Sequence, residues 1–161
     1  MQATLIPVKT HTDVSEDFEG YKLILKHISD NPGHEKCSVV LQTSGTAPVY
    51  TRAEAMADET LQPAEELLRK ILDKGIPVVL AAGNNDPYDE NKKIINSAPQ
   101  VYQDDEDFPL INVGAADFEG KRVRSSRYGD QLTIYAPGKD VASLPKEGLV
   151  SKSMTGTSIG E

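Results

Sequence analysis

Asn84 is the residue of this chain best placed to do chemistry. It closes the run Val78-Val79-Leu80-Ala81-Ala82-Gly83. In an open α/β sheet, ligands sit where strands end at their carboxyl edge. The Ala81-Ala82-Gly83 step lets a substrate backbone lie close, and Asn84 then leaves one amide side chain facing the cleft. Other reactive types are sparse. His11 falls in a loop, His27 on a helix face near its end and His34 in a turn. His27 has a bland explanation, the favourable interaction of a cation with a helix C-terminus. The lone Cys37 permits no internal disulfide and precedes an apolar run, so a buried, inert thiol is expected. The stretch 85–107 holds Asp86, Asp89, Glu90, Asp104, Asp105, Glu106 and Asp107. It lacks the glycine and the alternating spacing of a helix–loop–helix calcium loop, so a solvated acidic connection is expected.

Holding Asn84 at a strand end needs a helix that stops and a strand that starts. Leu67, Leu68, Ile71 and Leu72 recur at helical spacing, on a helix opened at Thr60 or Gln62 with Pro63 in its first turn, where proline is tolerated. Gly75 suits the left-handed residue that ends a helix, and Pro77 turns the chain away from helix. The unbroken apolar run 78–82 then reads as a strand covered on both faces. Upstream, 3–9 reads as a strand and Phe18, Tyr21, Leu25 and Ile28 as the apolar face of a helix from about Ser15 to Ser29. A second strand spans 37–41, and the loop 42–46 stands at its carboxyl edge. Downstream come strands at 108–114, 132–136 and 141–143, with a hairpin-like turn at 146–148. The strands near Leu5, Val40, Val79 and Ile111 are expected to form one parallel sheet in sequential order, joined by right-handed helical crossovers.

Four segments carry a family resemblance. Val79-Leu80-Ala81-Ala82-Gly83-Asn84, Asn112-Val113-Gly114-Ala115-Ala116-Asp117, Ala136-Pro137-Gly138 and Gly156-Thr157-Ser158 resemble, in order, the successive motifs of subtilisin-like serine peptidases. Ser125-Ser126 with Tyr128-Gly129 adds a fifth similarity. The resemblance implies a three-layer α/β/α fold with a mainly parallel sheet. It implies that Ser158 is the nucleophile and Asn84 the oxyanion-hole donor. It implies a polypeptide substrate lying between Thr43, Ser44 and Gly45 on one side and Ala81, Ala82 and Gly83 on the other. In some members the residue matching Asp117 helps bind calcium; no cofactor is otherwise required. A secreted protein is implied too, although the chain carries no signal peptide. The family's Asp-Thr/Ser-Gly and His-Gly motifs, which hold the other two catalytic residues, are not found here. None of the three histidines sits in such a motif. In the family both motifs precede the strand matching Leu5 to Val8. Residues 1–161 therefore read as a single partial domain, from after the His segment to just past the Ser, expected inactive alone. The strand at 3–9 would then lack its upstream neighbour and offer an edge for self-association.

Composition sets the outer bounds. The chain has 161 residues, enough for one domain with a core. Seventeen basic against 25 acidic residues give a net charge of −8, which argues against nucleic acid and anionic membranes as partners. A non-catalytic α/β module that keeps the fold for binding or as an antigen is the alternative to a peptidase.

Overall fold

The computed structural model describes residues 3–8, 14–46, 49–85, 95–104, 106–143 and 152–160. Helix α1 runs Val14–Asp30, α2 Arg52–Ala57, α3 Gln62–Asp73 and α4 Thr157–Gly160. Strands β1 (Val40–Gln42), β2 (Val78–Ala81), β3 (Ile111–Ala116) and β4 (Ile134–Pro137) form one parallel sheet in the order β1-β2-β3-β4. A separate antiparallel pair joins β5 (Val141–Ser143) to β6 (Lys152–Met154). The expected α/β class and sequential parallel order hold for β1 to β3.

Period 2 along each strand divides the sheet into two faces. Val40, Val78 and Leu80 belong to one apolar cluster with Tyr21 and Ile28 of α1 and Leu68 and Ile71 of α3. Val79, Ala81, Val113 and Ala115 point the other way, and α4 contacts β2, β3 and β4. A Cβ on Gly160 would lie 3.3 Å from that of Ala136, which pairs with Ala115 in the sheet. Helical layers therefore lie on both faces, and the α4 side is much the thinner.

The helix stop before β2 forms as read. Gly75 has φ 74° and Pro77 precedes the strand. A Cβ at Gly75 would meet nothing within 4 Å, so only the left-handed backbone opposes a side chain there. Gly75→Ala is expected to lower stability by about 1 kcal/mol. Urea unfolding should show this as a lower midpoint at unchanged slope; an unchanged midpoint would contradict the left-handed cap.

Four expectations are corrected. Residues 3–8 form no strand, and Leu5 is 84% exposed. With no neighbour among the described residues the β-prone pattern has no ladder to join, so the open edge of the sheet is β1, not the segment around Leu5. Leu41 on that edge is 53% exposed. Cys37 ends a 3-10 turn, His34–Cys37, and is exposed, because the buried run starts only at Val40. The strand expected from Phe108 starts at Ile111; Phe108 instead bridges back to Asp104 and buries its ring against Tyr102. The strand expected at Leu132–Ala136 starts at Ile134. Helix α2 has no counterpart in the sequence reading, although Thr51 and Glu54 form a capping box at its start. His11, residues 86–94, Asp105 and the turn at 146–148 lie outside the described residues.

Candidate active site

The structure brings Asn84 and the Gly156-Thr157-Ser158 segment together across the end of the sheet. Thr157 N–H donates to Asn84 Oδ1 at 3.1 Å, and Gly83 N–H donates to Thr157 Oγ1 at 3.2 Å. Thr157 is fully buried, whereas Asn84 and Ser158 are exposed. A backbone donor on one end of an amide fixes which end is oxygen. The Nδ2 end of Asn84 is thereby left to donate elsewhere, and it carries no hydrogen bond among the described residues. It lies 3.4 Å from where a Gly156 Cβ would stand, at van der Waals contact.

Glycines set the seat of α4 as well. Gly156 N–H donates to Gly138 O at 2.8 Å, and Gly138 N–H to Ala116 O at 3.0 Å. A Cβ on Gly138 would fall 2.7 Å from Gly156 O and 2.8 Å from Ala115 Cβ, which no real side chain tolerates. Ala136-Pro137-Gly138 thus serves as the floor on which the Ser158 segment rests. Ser158 stands in the first turn of α4, where a helix supplies no acceptor for its N–H.

The two segments expected to hold substrate are cross-linked by a buried side chain. Gln100 Nε2 donates to Ser44 O at 3.0 Å and to Ala81 O at 2.9 Å. It joins the carboxyl ends of β1 and β2 and sets the spacing of residues 43–45 from 81–83. A Cβ on Gly45 would lie 2.8 Å from Gln100 Oε1, so a side chain there would displace the Gln100 amide. Asn112 holds Gln100 in turn, its Nδ2 donating to Gln100 O at 2.9 Å and to Gln131 O at 2.8 Å.

Asp117 lies at the end of β3, away from these contacts. Its Oδ1 accepts the N–H groups of Glu119 and Lys121, both at 3.0 Å, as a turn aspartate capping its own backbone does. No group of three or more metal-ligating side chains is found among the described residues. His27 and His34 meet each other, ring nitrogens 3.3 Å apart. A larger polar cleft of about 480 Å3, lined by Arg52, Asp104, Asp130 and Thr133 among others, opens near the amino ends of β3 and β4. It contains neither Asn84 nor Ser158.

Residues 1–160 match the subtilase family, Peptidase S8. This chain belongs to the subtilase family. Among curated subtilases, subtilisin-like protease 2 of Trichophyton verrucosum is 30% identical over 141 residues, covering 87% of this chain and 28% of that protein. A subtilisin-like protease of Coccidioides posadasii is 27% identical over 146 residues, covering 88% of this chain and 30% of that protein. The chain therefore spans less than a third of the length of these relatives. In solved structures, the prenylagaramide maturation protease PagA shares the fold with a TM-score of 0.60 at 22% identity, over 96% of this chain and 49% of that one. No described helix is long and apolar enough to cross a membrane.

Three residues of this subtilase chain escaped the sequence reading. Thr157 stood inside the quoted Gly156-Thr157-Ser158 motif, but nothing local reveals that it orients Asn84 from 73 residues away. Gln100 bridges to partners 56 and 19 residues distant. Arg127 lies between Ser126 and Tyr128. A lone polar residue in a mixed segment gives no periodic signal from which burial could be read.

Proposed function

We propose that this chain carries the nucleophile and the oxyanion-binding part of a serine endopeptidase site. The observation that supports it most is the hydrogen bond from Thr157 N–H to Asn84 Oδ1. It joins the two expected residues' segments and turns the amide's donor end outward. In the proposed reaction Ser158 Oγ attacks the carbonyl carbon of a peptide bond while a general base takes its proton. The carbonyl oxygen gains charge, and Asn84 Nδ2–H with the Ser158 backbone N–H donates to it. The carbonyl then re-forms as the amine leaves with a proton from the base. Water completes the second half by the same route.

The base and its orienting carboxylate are proposed to come from a longer protein containing this sequence. The substrate is an extended polypeptide, running between Thr43, Ser44 and Gly45 and Ala81, Ala82 and Gly83. Secretion is the proposed location. No step is routed through a metal. A calcium ion at Asp117 would have to share a carboxylate whose Oδ1 already accepts two backbone N–H groups, and calcium takes six to eight oxygens.

The isolated 161-residue chain is expected to be inert towards a chromogenic peptide and a serine-directed phosphonate, because an unassisted serine hydroxyl is a weak nucleophile. Mass spectrometry after phosphonate treatment checks this. An adduct on Ser158 of the isolated chain would contradict an unactivated hydroxyl, and peptide hydrolysis by the full-length protein is the matching positive result.

A further inference from the structure

Arg127 lies across the strand end that carries Asn84. A Cβ on Gly83 would stand 3.1 Å from Arg127 Cδ, 3.3 Å from Nε and 3.6 Å from Cζ. The close approach is possible because Gly83 has none. Beyond Gly83 the guanidinium reaches residues 96 and 97, with Nη1 donating to Asn96 Oδ1 at 2.7 Å and to Ser97 Oγ at 2.6 Å. Ser97 also packs on the opposite wall, its Cβ 3.2 Å from where a Gly45 Cβ would be. The guanidinium therefore lies against Gly83 and is linked through Ser97 to Gly45, which ties it to both the 43–45 and the 81–83 segments. The backbone fixes it there: Arg127 N–H donates to Gly83 O at 3.0 Å, and Asn84 and Ser126 form an antiparallel bridge.

Among the described residues its charge has no carboxylate counterpart. Both hydrogen-bond partners are neutral oxygens, and Nε is buried with no partner. No carboxylate among the described residues comes within ion-pair distance. Arg69 shows the contrast: it stacks on Phe108 and meets Glu65 at 2.8 Å and Asp107 at 3.2 Å. Arg52 meets Asp107 at 3.1 Å. Arg127 is half-buried and meets no such carboxylate among the described residues. Burial pushes its pKa down, yet an arginine keeps its charge in proteins. Removing a cation from water without a counter-charge costs free energy, and an arriving anion offsets that cost. The planar guanidinium fork matches a carboxylate in particular.

We propose that Arg127 selects substrates with Asp or Glu at P1, the residue on the acyl side of the cleaved bond, by pairing with that side-chain carboxylate. This rests on the proposed function, which puts the scissile carbonyl at Asn84 and the adjoining side chain in the gap beside Gly83. A glutamine at P1 has the same shape and no charge, so it leaves the guanidinium as unpaired as before. The preference is thus for charge and not for size.

The test uses the full-length protein and matched peptides that differ only at P1: Glu, Gln, Leu or Phe. Glu is expected to exceed Gln in kcat/KM by about tenfold or more, as a charge-assisted pair supplies. Arg127→Gln should collapse that Glu-to-Gln ratio at least tenfold, and Arg127→Lys should restore part of it, with circular dichroism confirming that both fold. A wild-type ratio near one, or a ratio unmoved in Arg127→Gln, overturns the inference while leaving the peptidase reading intact. The second arm needs no catalysis. Fluorescence anisotropy of labelled Glu and Gln peptides on Ser158→Ala protein should show tighter binding of the Glu peptide, lost when Arg127→Gln is added. Absence of hydrolysis with that binding preference present would overturn the peptidase reading alone. Equal binding, or none, overturns the role of Arg127.

Discussion

Ser158→Ala in the full-length protein is expected to lower kcat by roughly 2 × 10⁶, a magnitude measured on subtilisin itself and carried over from that enzyme. The size follows from how the parts act. Once the hydroxyl is gone, the base has no nucleophile to activate and no acyl-enzyme can form. What remains is the stabilisation of attack by water, on the order of 10³–10⁴ above the uncatalysed rate. Ser158 is exposed on a four-residue helix, so the change removes no core contact and stability should be unaltered. Steady-state kinetics with a chromogenic peptide measures it. Retained turnover would remove Ser158 from the reaction.

Asn84→Leu should cost less and in a different way. Deleting one oxyanion donor lowers kcat by about 10²–10³, again a subtilisin value. KM should change little, because the donor meets an oxygen whose charge develops only in the transition state. The substitution also strips Thr157 N–H of its acceptor at 3.1 Å. Thr157 is fully buried, so a stability loss of about 1–3 kcal/mol accompanies the kinetic effect. Asn84→Asp separates the two, since it keeps the acceptor for Thr157 N–H and removes the donor. Its kcat should fall as far as that of Asn84→Leu while its stability stays closer to the wild type.

The local features of the fold were readable because local rules decide them. Gly75 after a helical stripe, Pro77 and an apolar run of five could form little other than a helix stop and a buried strand. The placement of Asn84 follows from this, since it stands three residues past the end of β2 at Ala81, just beyond Gly83. Helix α2 has a local signal in the capping box of Thr51 and Glu54, but its six residues bury only Ala55 and so show no apolar stripe. Where long-range partners decide, the pattern misled. Leu5 and Ile6 look like strand residues, yet a strand needs a neighbour, and none meets them among the described residues. Cys37 borrowed its expected burial from a run that begins three residues later. Inside the site the same division holds. Asn84 and Ser158 were visible as motif letters. The residues around them were not: Thr157 bonds Asn84, Gln100 bonds two carbonyls at the ends of β1 and β2, and Arg127 bonds a glycine 127 − 83 = 44 positions earlier.

Labelling kinetics tests most directly whether Asn84 and Ser158 form one working site. The full-length protein is treated with a serine-directed phosphonate, the adduct is mapped by mass spectrometry, and the rate is compared with that of Asn84→Leu. The expected adduct is on Ser158, formed about 10²–10³ more slowly in the variant, because the phosphonyl oxygen uses the same donor as the peptide oxyanion. An adduct on another serine, or equal rates in the two proteins, would contradict it.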